Sequence, residues 1–324
     1  MLERPRRLRQ TPQLRSLLKE TSLRVDQLVQ PYFLAAEPRA QETITGFTEV
    51  YRWGVDSLSG QIEKNLKHGI KGFMLFGSTT EKNELGSGAY DNQGLLPATL
   101  RTLKQRFGSQ AILFTDVCLC PFTSHGHCGV IDGEKIANDP SLPLLAKMAL
   151  THAEAGADFV SPSDMMDGRV GAIRKCLDEN GFSDTGILAY TAKYASAYYG
   201  PFREALASSP QGGTDRASYQ MDYANSKEAL RELRLDLEEG ADLVMVKPAL
   251  PYLDIIAKLS AESDVPVAAY SVSGEYEMIK QLVKHGMADE RKIILENLFA
   301  IRRAGAQLIL TYHASQVSSQ GWLE

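Results

Sequence analysis

The sequence has no run of about 18 apolar residues, the length a helix needs to cross a bilayer, so no membrane-spanning helix is expected. It has no excess of positive charge. The 35 Lys and Arg stand against 40 Asp and Glu, a formal net charge of -5. Such a surface argues against a general nucleic-acid binder. The opening MLERPRRLRQ carries arginines with no apolar core behind them, so it does not read as a secretory signal, and a cytoplasmic location is the expectation. No GxGxxG turn follows the first apolar run, which weakens a dinucleotide-binding reading. Cysteine is scarce, with four residues, and three of them crowd between positions 118 and 128. In a reducing compartment that clustering points to metal or redox chemistry rather than a disulfide framework.

What is present looks globular. Apolar residues make up 44% and charged residues 23%, so disorder is not expected. A length of 324 residues is long for an ordinary domain but normal for one large α/β barrel. Short apolar runs bounded by Gly, Pro or polar residues fit buried parallel strands at 28–33, 72–77, 111–117, 158–161, 186–190, 242–247, 265–270 and 307–312. Helical periodicity lies between most of them, as at 61–68, 145–155, 224–239 and 289–304. Four junctions, HGIKGFML, AGADFVSP, EGADLVMV and AGAQLILT, repeat a helix–Gly–strand pattern. Gly69, Gly156, Gly240 and Gly305 fall where a helix needs a left-handed cap. The repeat predicts a closed (β/α)8 barrel, with an open doubly wound sheet as the alternative. The first 24 residues stand apart, with seven Lys/Arg against two acids, and read either as a flexible tail or as an arm that packs on another subunit.

In α/β barrels the chemistry sits at the C-terminal ends of the strands. Here those ends carry Asp116, Cys118 and Cys120, then Ser161 and Ser163, then Lys193, Lys247, Ser273 and Tyr312. Lys247 closes the apolar run LVMVK. Barrel walls would dehydrate it, lower its pKa and leave free amine to attack a carbonyl. A second ammonium, at Lys193 just past the fifth strand, would depress that pKa further. The plainer reading is a strand-end lysine that reaches to solvent. DVCLCPFTSHGHC offers Cys118, Cys120, His125, His127 and Cys128. Three thiolates with an open fourth position suit a catalytic zinc, and no second CxxC exists to close a structural site. The alternative is a set of small buried thiols. Cys176 lies in a helical pattern and is expected to pack in the core. Arg203 and Arg216 lie in a Gly- and Pro-containing stretch read as a long loop. They are either substrate-gripping arginines on a lid or two solvated charges.

These residues resemble the porphobilinogen synthase (5-aminolevulinate dehydratase) family. The likeness runs from RPRRLR at Arg4 through TSHGHCG, SPSDMMDGR, YGPFREA, SYQM, MVKPALPYLDI and SGEYEMIK to the strand that ends at Tyr312. It implies a (β/α)8 barrel over 26–324, an extended N-terminal arm over 1–25, and a homo-octamer of arm-hugging dimers. The implied activity is condensation of two 5-aminolevulinate molecules into porphobilinogen, an early step of haem and other tetrapyrrole synthesis. The resemblance assigns one substrate to Lys247 as a Schiff base and the other to Lys193. Arg203, Arg216 and Gln220 would hold the second carboxylate, and Ser273 and Tyr312 the first. Asp116 and Ser163 would position the amines. Cys118, Cys120 and Cys128 match the zinc-type members. Glu232 resembles a glutamate of an allosteric magnesium site, although a solvated helical charge would look the same. His313 departs from the family pattern, which has an aromatic without a titrating nitrogen there, and could alter the local pKa. Two other readings remain. A class I aldolase-type lyase would use one lysine and no thiolate cluster. A non-catalytic metal-binding or regulatory barrel would need neither the second lysine nor the arginines.

Overall fold

The computed structural model describes residues 3–210 and 215–323. Gly212 and Gly213, part of the stretch read as a loop, lie outside them. The apolar runs form eight parallel strands: β1 (Leu28–Leu34), β2 (Gly72–Phe76), β3 (Ile112–Val117), β4 (Phe159–Pro162), β5 (Gly186–Lys193), β6 (Leu243–Lys247), β7 (Val267–Ser271) and β8 (Leu308–Thr311). LVQPYFL, GFMLF, LVMVK and VAAYS are buried at every residue. Helices cover one face of such strands and the barrel interior the other, so polar alternation is absent. Each strand pairs with the next, and β8 returns to β1 through Leu28 with Ile309 and Val29 with Leu310. The closure rules out the open sheet and makes this a (β/α)8 barrel.

The four glycine junctions share one geometry. Gly69, Gly156, Gly240 and Gly305 have φ of 96°, 101°, 98° and 117°. The next amide bonds back across the last helical turn, as in Ile70 N to Asn65 O at 3.0 Å and Ala157 N to His152 O at 3.0 Å. Ala241 N to Asp236 O at 2.9 Å repeats it. This is a Schellman closure, which satisfies carbonyls the helix end would leave bare. At Gly156 a Cβ would also lie 2.7 Å from Lys104 Cγ, so any side chain there would have to displace Lys104.

The structure departs from the sequence reading in four places. β5 runs on to Lys193, so that lysine ends the strand rather than following it. The stretch read as one long loop is partly helical, with a 3-10 turn at Ala197–Tyr199 and a helix at Gly200–Ala205. Pro201 in the first turn of that helix needs no amide partner, so proline marked a helix start there. Two hairpins are extra: Gln41–Thr43 with Tyr51–Trp53, and Val130–Asp132 with Lys135–Ala137. The N-terminal segment carries a helix, Pro12–Leu17, capped by Thr11 Oγ1 accepting from Leu14 N at 3.1 Å. That helix buries no residue against its own barrel, and Leu17 is 80% exposed.

Candidate active site

The two lysines meet through strand register. On β5 and β6, Val244 pairs with Ala189, but Val246 pairs with Ala192 and Lys247 with Lys193. β5 thus carries one extra residue, a bulge. Without it Lys247 would face Ala192. Paired parallel strands lie about 4.8 Å apart with side chains projecting to the same side. Both lysines are buried, at 5% and 3% exposure. Burial pushes Lys247 down to about 7, and Lys193 adds to the shift, while Asp116 opposes it. Four rings surround the Lys247 Nζ: Phe202 at 4.4 Å, Tyr270 at 4.5 Å, Tyr190 at 5.1 Å and Tyr199 at 5.4 Å. Ring faces favour an ammonium, but dehydration outweighs them. Lys193 Nζ donates to the Ser163 carbonyl and lies 5.7 Å from the Tyr190 ring.

Asp116, on β3, faces this pair. Burial raises its pKa, while Lys193, a hydrogen bond from Ser163 and Lys247 hold it down. Cys118 and Cys120 follow β3 directly, and Cys128 returns to them on the next loop. Their sulfurs all lie within 4.8 Å of one another, with Cys118 Sγ donating to Cys120 Sγ at 3.2 Å. Burial pushes the Cys118 thiol up. Bonds from Cys118 and Cys120 hold Cys128 well below the usual thiol range. Three buried soft donors this close could hold a metal ion, which would replace their shared protons. The histidines of the loop point elsewhere. His125 Nε2 lies 3.2 Å from Glu84 O, and His127 Nδ1 lies 3.1 Å from the Tyr219 hydroxyl.

Two clusters of polar side chains flank the lysines. Arg216 is not a solvated charge but 5% exposed, donating from Nη2 to Gly126 O at 3.0 Å and to Ser208 O. Its Nε, the Nε of half-buried Arg203 and both amide atoms of buried Gln220 have no partner among the described residues. Each such group costs about 1–3 kcal/mol, so their convergence favours a ligand with complementary oxygens. On the other side, Ser273 begins the helix Ser273–Lys284, and Tyr312 OH lies 2.8 Å from Tyr270 OH. Ser273 Oγ accepts from Phe202 N at 3.2 Å and donates to Tyr198 O at 3.2 Å, so residues 198–202 close over Lys247.

Glu232 does not sit at a strand end but on the helix Lys227–Glu238. It lines a cleft of about 1290 Å³ with Asp167, Glu228, His127 and Gln220. Burial raises it to about 7, so it is not a freely solvated charge. His313 is 2% exposed, and its ring lies 4.4 Å from Tyr276. Burial pushes it down to about 3, so it stays neutral and adds no charge to the mouth. Cys176 packs, partly buried, against the core.

Sequence reasoning missed Tyr190, Tyr199, Phe202 and Tyr270, the rings around Lys247. It also missed Glu275, which accepts from Leu250 N at 2.6 Å and Val272 N at 2.7 Å and so ties the chain after Lys247 to the end of β7. The SGEYEMIK motif held Glu275, but only the fold gave it a partner.

The chain matches the family model of delta-aminolevulinic acid dehydratase over residues 2–320. A delta-aminolevulinic acid dehydratase of Methanothermus sociabilis is 50% identical over 314 residues, 97% of each chain. The one from Halalkalibacterium halodurans is 48% identical over 321 residues, 99% of this chain and 97% of that protein. The crystal structure of delta-aminolevulinic acid dehydratase (porphobilinogen synthase) from Toxoplasma gondii ME49, solved with the reaction product porphobilinogen, superposes with a TM-score of 0.95 at 44% identity. It covers 99% of this chain and 92% of that one. No helix among the described residues is long and apolar enough to cross a membrane. With its barrel and its paired lysines, this chain belongs to the delta-aminolevulinic acid dehydratase family.

Proposed function

We propose that this enzyme is a hydro-lyase that joins two molecules of 5-aminolevulinate into porphobilinogen with loss of two waters, early in tetrapyrrole (haem) synthesis. The observation that carries the reading is the pairing of buried Lys193 with buried Lys247 at the barrel mouth. An amine with a pKa near 7 is half unprotonated at neutral pH. It attacks the ketone of the first substrate, and loss of one water leaves an imine. Its protonated form draws electrons from the adjacent carbon and eases the proton loss needed for C–C bond formation. Lys193 forms the imine with the second ketone, again with loss of one water. Ser273 and Tyr312 hold the first carboxylate, and Arg203, Arg216 and Gln220 the second. Two chemically identical molecules are thereby oriented differently. Asp116 and Ser163 position the amines.

Cys118, Cys120 and Cys128 would hold zinc, since three buried thiols with no histidine among them fit a soft ion with one open position. When bound, zinc supplies Lewis acidity or a hydroxide for proton removal. Glu232, half-buried in an acidic cleft, would contribute to an allosteric magnesium site. The enzyme would work in the cytoplasm as a homo-octamer, with residues 1–25 as the arm that packs on a neighbouring subunit. The unburied arm helix supports that assembly. Borohydride added with 5-aminolevulinate, followed by peptide mass spectrometry, tests the reading. Adducts at Lys247 and Lys193 are expected, and their absence from both would end it.

A further inference from the structure

Arg169 and Asp236 form a fully buried ion pair outside the substrate seats. Arg169 begins the helix Arg169–Glu179, and Asp236 lies on Lys227–Glu238. Their side chains are 2% and 1% exposed. Arg169 Nη1 donates to Asp236 Oδ1 at 3.0 Å and Nη2 to Oδ2 at 3.3 Å. Such a pair is rarely worth more to stability than well-packed apolar residues of the same volume. Its placement suggests a geometric task.

The guanidinium stands where the barrel wall parts. Pairing between β4 and β5 stops at Val160 with Ile187, so the Tyr190 carbonyl has no β4 partner. Arg169 Nη2 reaches that carbonyl at 3.5 Å. The same nitrogen lies 3.9 Å from Met165 Sδ, in the loop after β4. Met165 has φ of 71°, a strained value for a side-chain-bearing residue, so the loop must be held in place. This loop leaves β4 through Ser163, whose carbonyl accepts from Lys193 Nζ. Tyr190, on the other side, precedes Lys193 by three residues and faces both lysines. One guanidinium thus braces both walls around Lys193. Lys247, on β6, shares the Tyr190 ring but is held as well by three further rings, those of Tyr199, Phe202 and Tyr270.

We propose that the Arg169–Asp236 pair is a positioning device for Lys193: anchored by Asp236, the guanidinium fixes the Ser163 loop and the Tyr190 backbone so that the Lys193 amine meets the second substrate. This rests on the Schiff-base role of Lys193 given above. Arginine suits the task because its planar fork bonds both Asp236 oxygens through two nitrogens while reaching the Tyr190 carbonyl, a spread that a lysine's three donors, all on one nitrogen, do not reproduce. A misplacement of about 1 Å at a reacting amine lowers rate by roughly 100-fold.

The test compares the full-length enzyme with Arg169→Met/Asp236→Leu, which keeps the site filled without charge, and with Arg169→Lys, which keeps the charge paired. Folding is checked by circular dichroism and melting temperature. Each protein is then incubated with 5-aminolevulinate and borohydride, and adducts at the two lysines are quantified separately. In both variants the Lys193 adduct should fall roughly 10- to 100-fold while the Lys247 adduct stays near wild type. kcat should fall with it. A folded double variant that traps Lys193 and turns over like wild type would overturn the proposal. If the double variant does not fold, equal Lys193 trapping in Arg169→Lys overturns it instead. Equal losses at both lysines would show a general structural role and also overturn it. Failure of the wild type to trap at either lysine would instead sink the Schiff-base reading.

Discussion

Replacing Lys247 with methionine should abolish activity and stabilise the fold at neutral pH. In the unfolded chain this amine has its ordinary pKa of 10.5, and in the folded barrel about 7. The unfolded state therefore binds the proton more tightly, and the lysine opposes folding. Below pH 7 both states are protonated, and the opposition is greatest, at about 5 kcal/mol for the shift involved. At pH 7 it is about 4 kcal/mol, and by pH 9.5 it shrinks to about 1 kcal/mol as the unfolded chain begins to lose its proton. Methionine is of similar length, and its sulfur packs well on rings such as those of Phe202 and Tyr270. Denaturant or thermal unfolding of Lys247→Met and wild type at pH 6, 7 and 9.5 measures the difference. The variant should gain stability at pH 6 and 7, and the gain should fall as pH rises towards 10.5. A destabilised variant, or a gain independent of pH, would refute the claim that a dehydrated amine is held at the barrel mouth.

Other outcomes follow from the same site. Phe202→Ala would open the lid over Lys247 to water, raise its pKa towards the ordinary value and move the acid limb of the kcat/KM profile to higher pH; an unmoved limb would contradict the role of burial. Arg216→Lys keeps a charge but loses the fork, so KM for 5-aminolevulinate should rise about 10-fold or more through loss of a charge-assisted contact worth roughly 1.5–3 kcal/mol, measured by steady-state kinetics. Cys128→Ala should lower zinc retained after dialysis from about one ion per chain to near none, read by elemental analysis, because two thiolates rarely retain zinc alone. Gly126→Ala should weaken both the thiol loop and the Arg216 segment. At φ of 76° its Cβ would lie 2.5 Å from the Ser209 carbonyl oxygen, and a lowered melting temperature of the variant would report it.

The barrel was legible because its signals are local. Apolar runs of strand length and glycine at each helix end depend only on the residues beside them, and all eight strands lie where the runs predicted. Strand-end position then singled out the lysines, the cysteines and Asp116. The ring cage was not legible. Tyr190 and Lys193 are three residues apart, and in a regular strand that spacing puts them on opposite faces. Only the bulge on β5 brings both to the lysine pair. Phe202 was hidden for another reason, since it comes from a segment read as loop that folds back as a helix over the mouth. His125 and His127 show the converse: close in sequence to the thiols, they hydrogen-bond away from them.

By itself, then, the sequence determined the strand and helix repeat, the candidate residues at the strand ends and the family they resemble, since each is written in short-range pattern. The tertiary structure alone decided that Lys247 faces Lys193, that burial holds its amine near neutrality, and that Arg216 is enclosed rather than solvated. Register, dehydration and enclosure are set by what lies across the barrel, at a sequence distance no local pattern reaches.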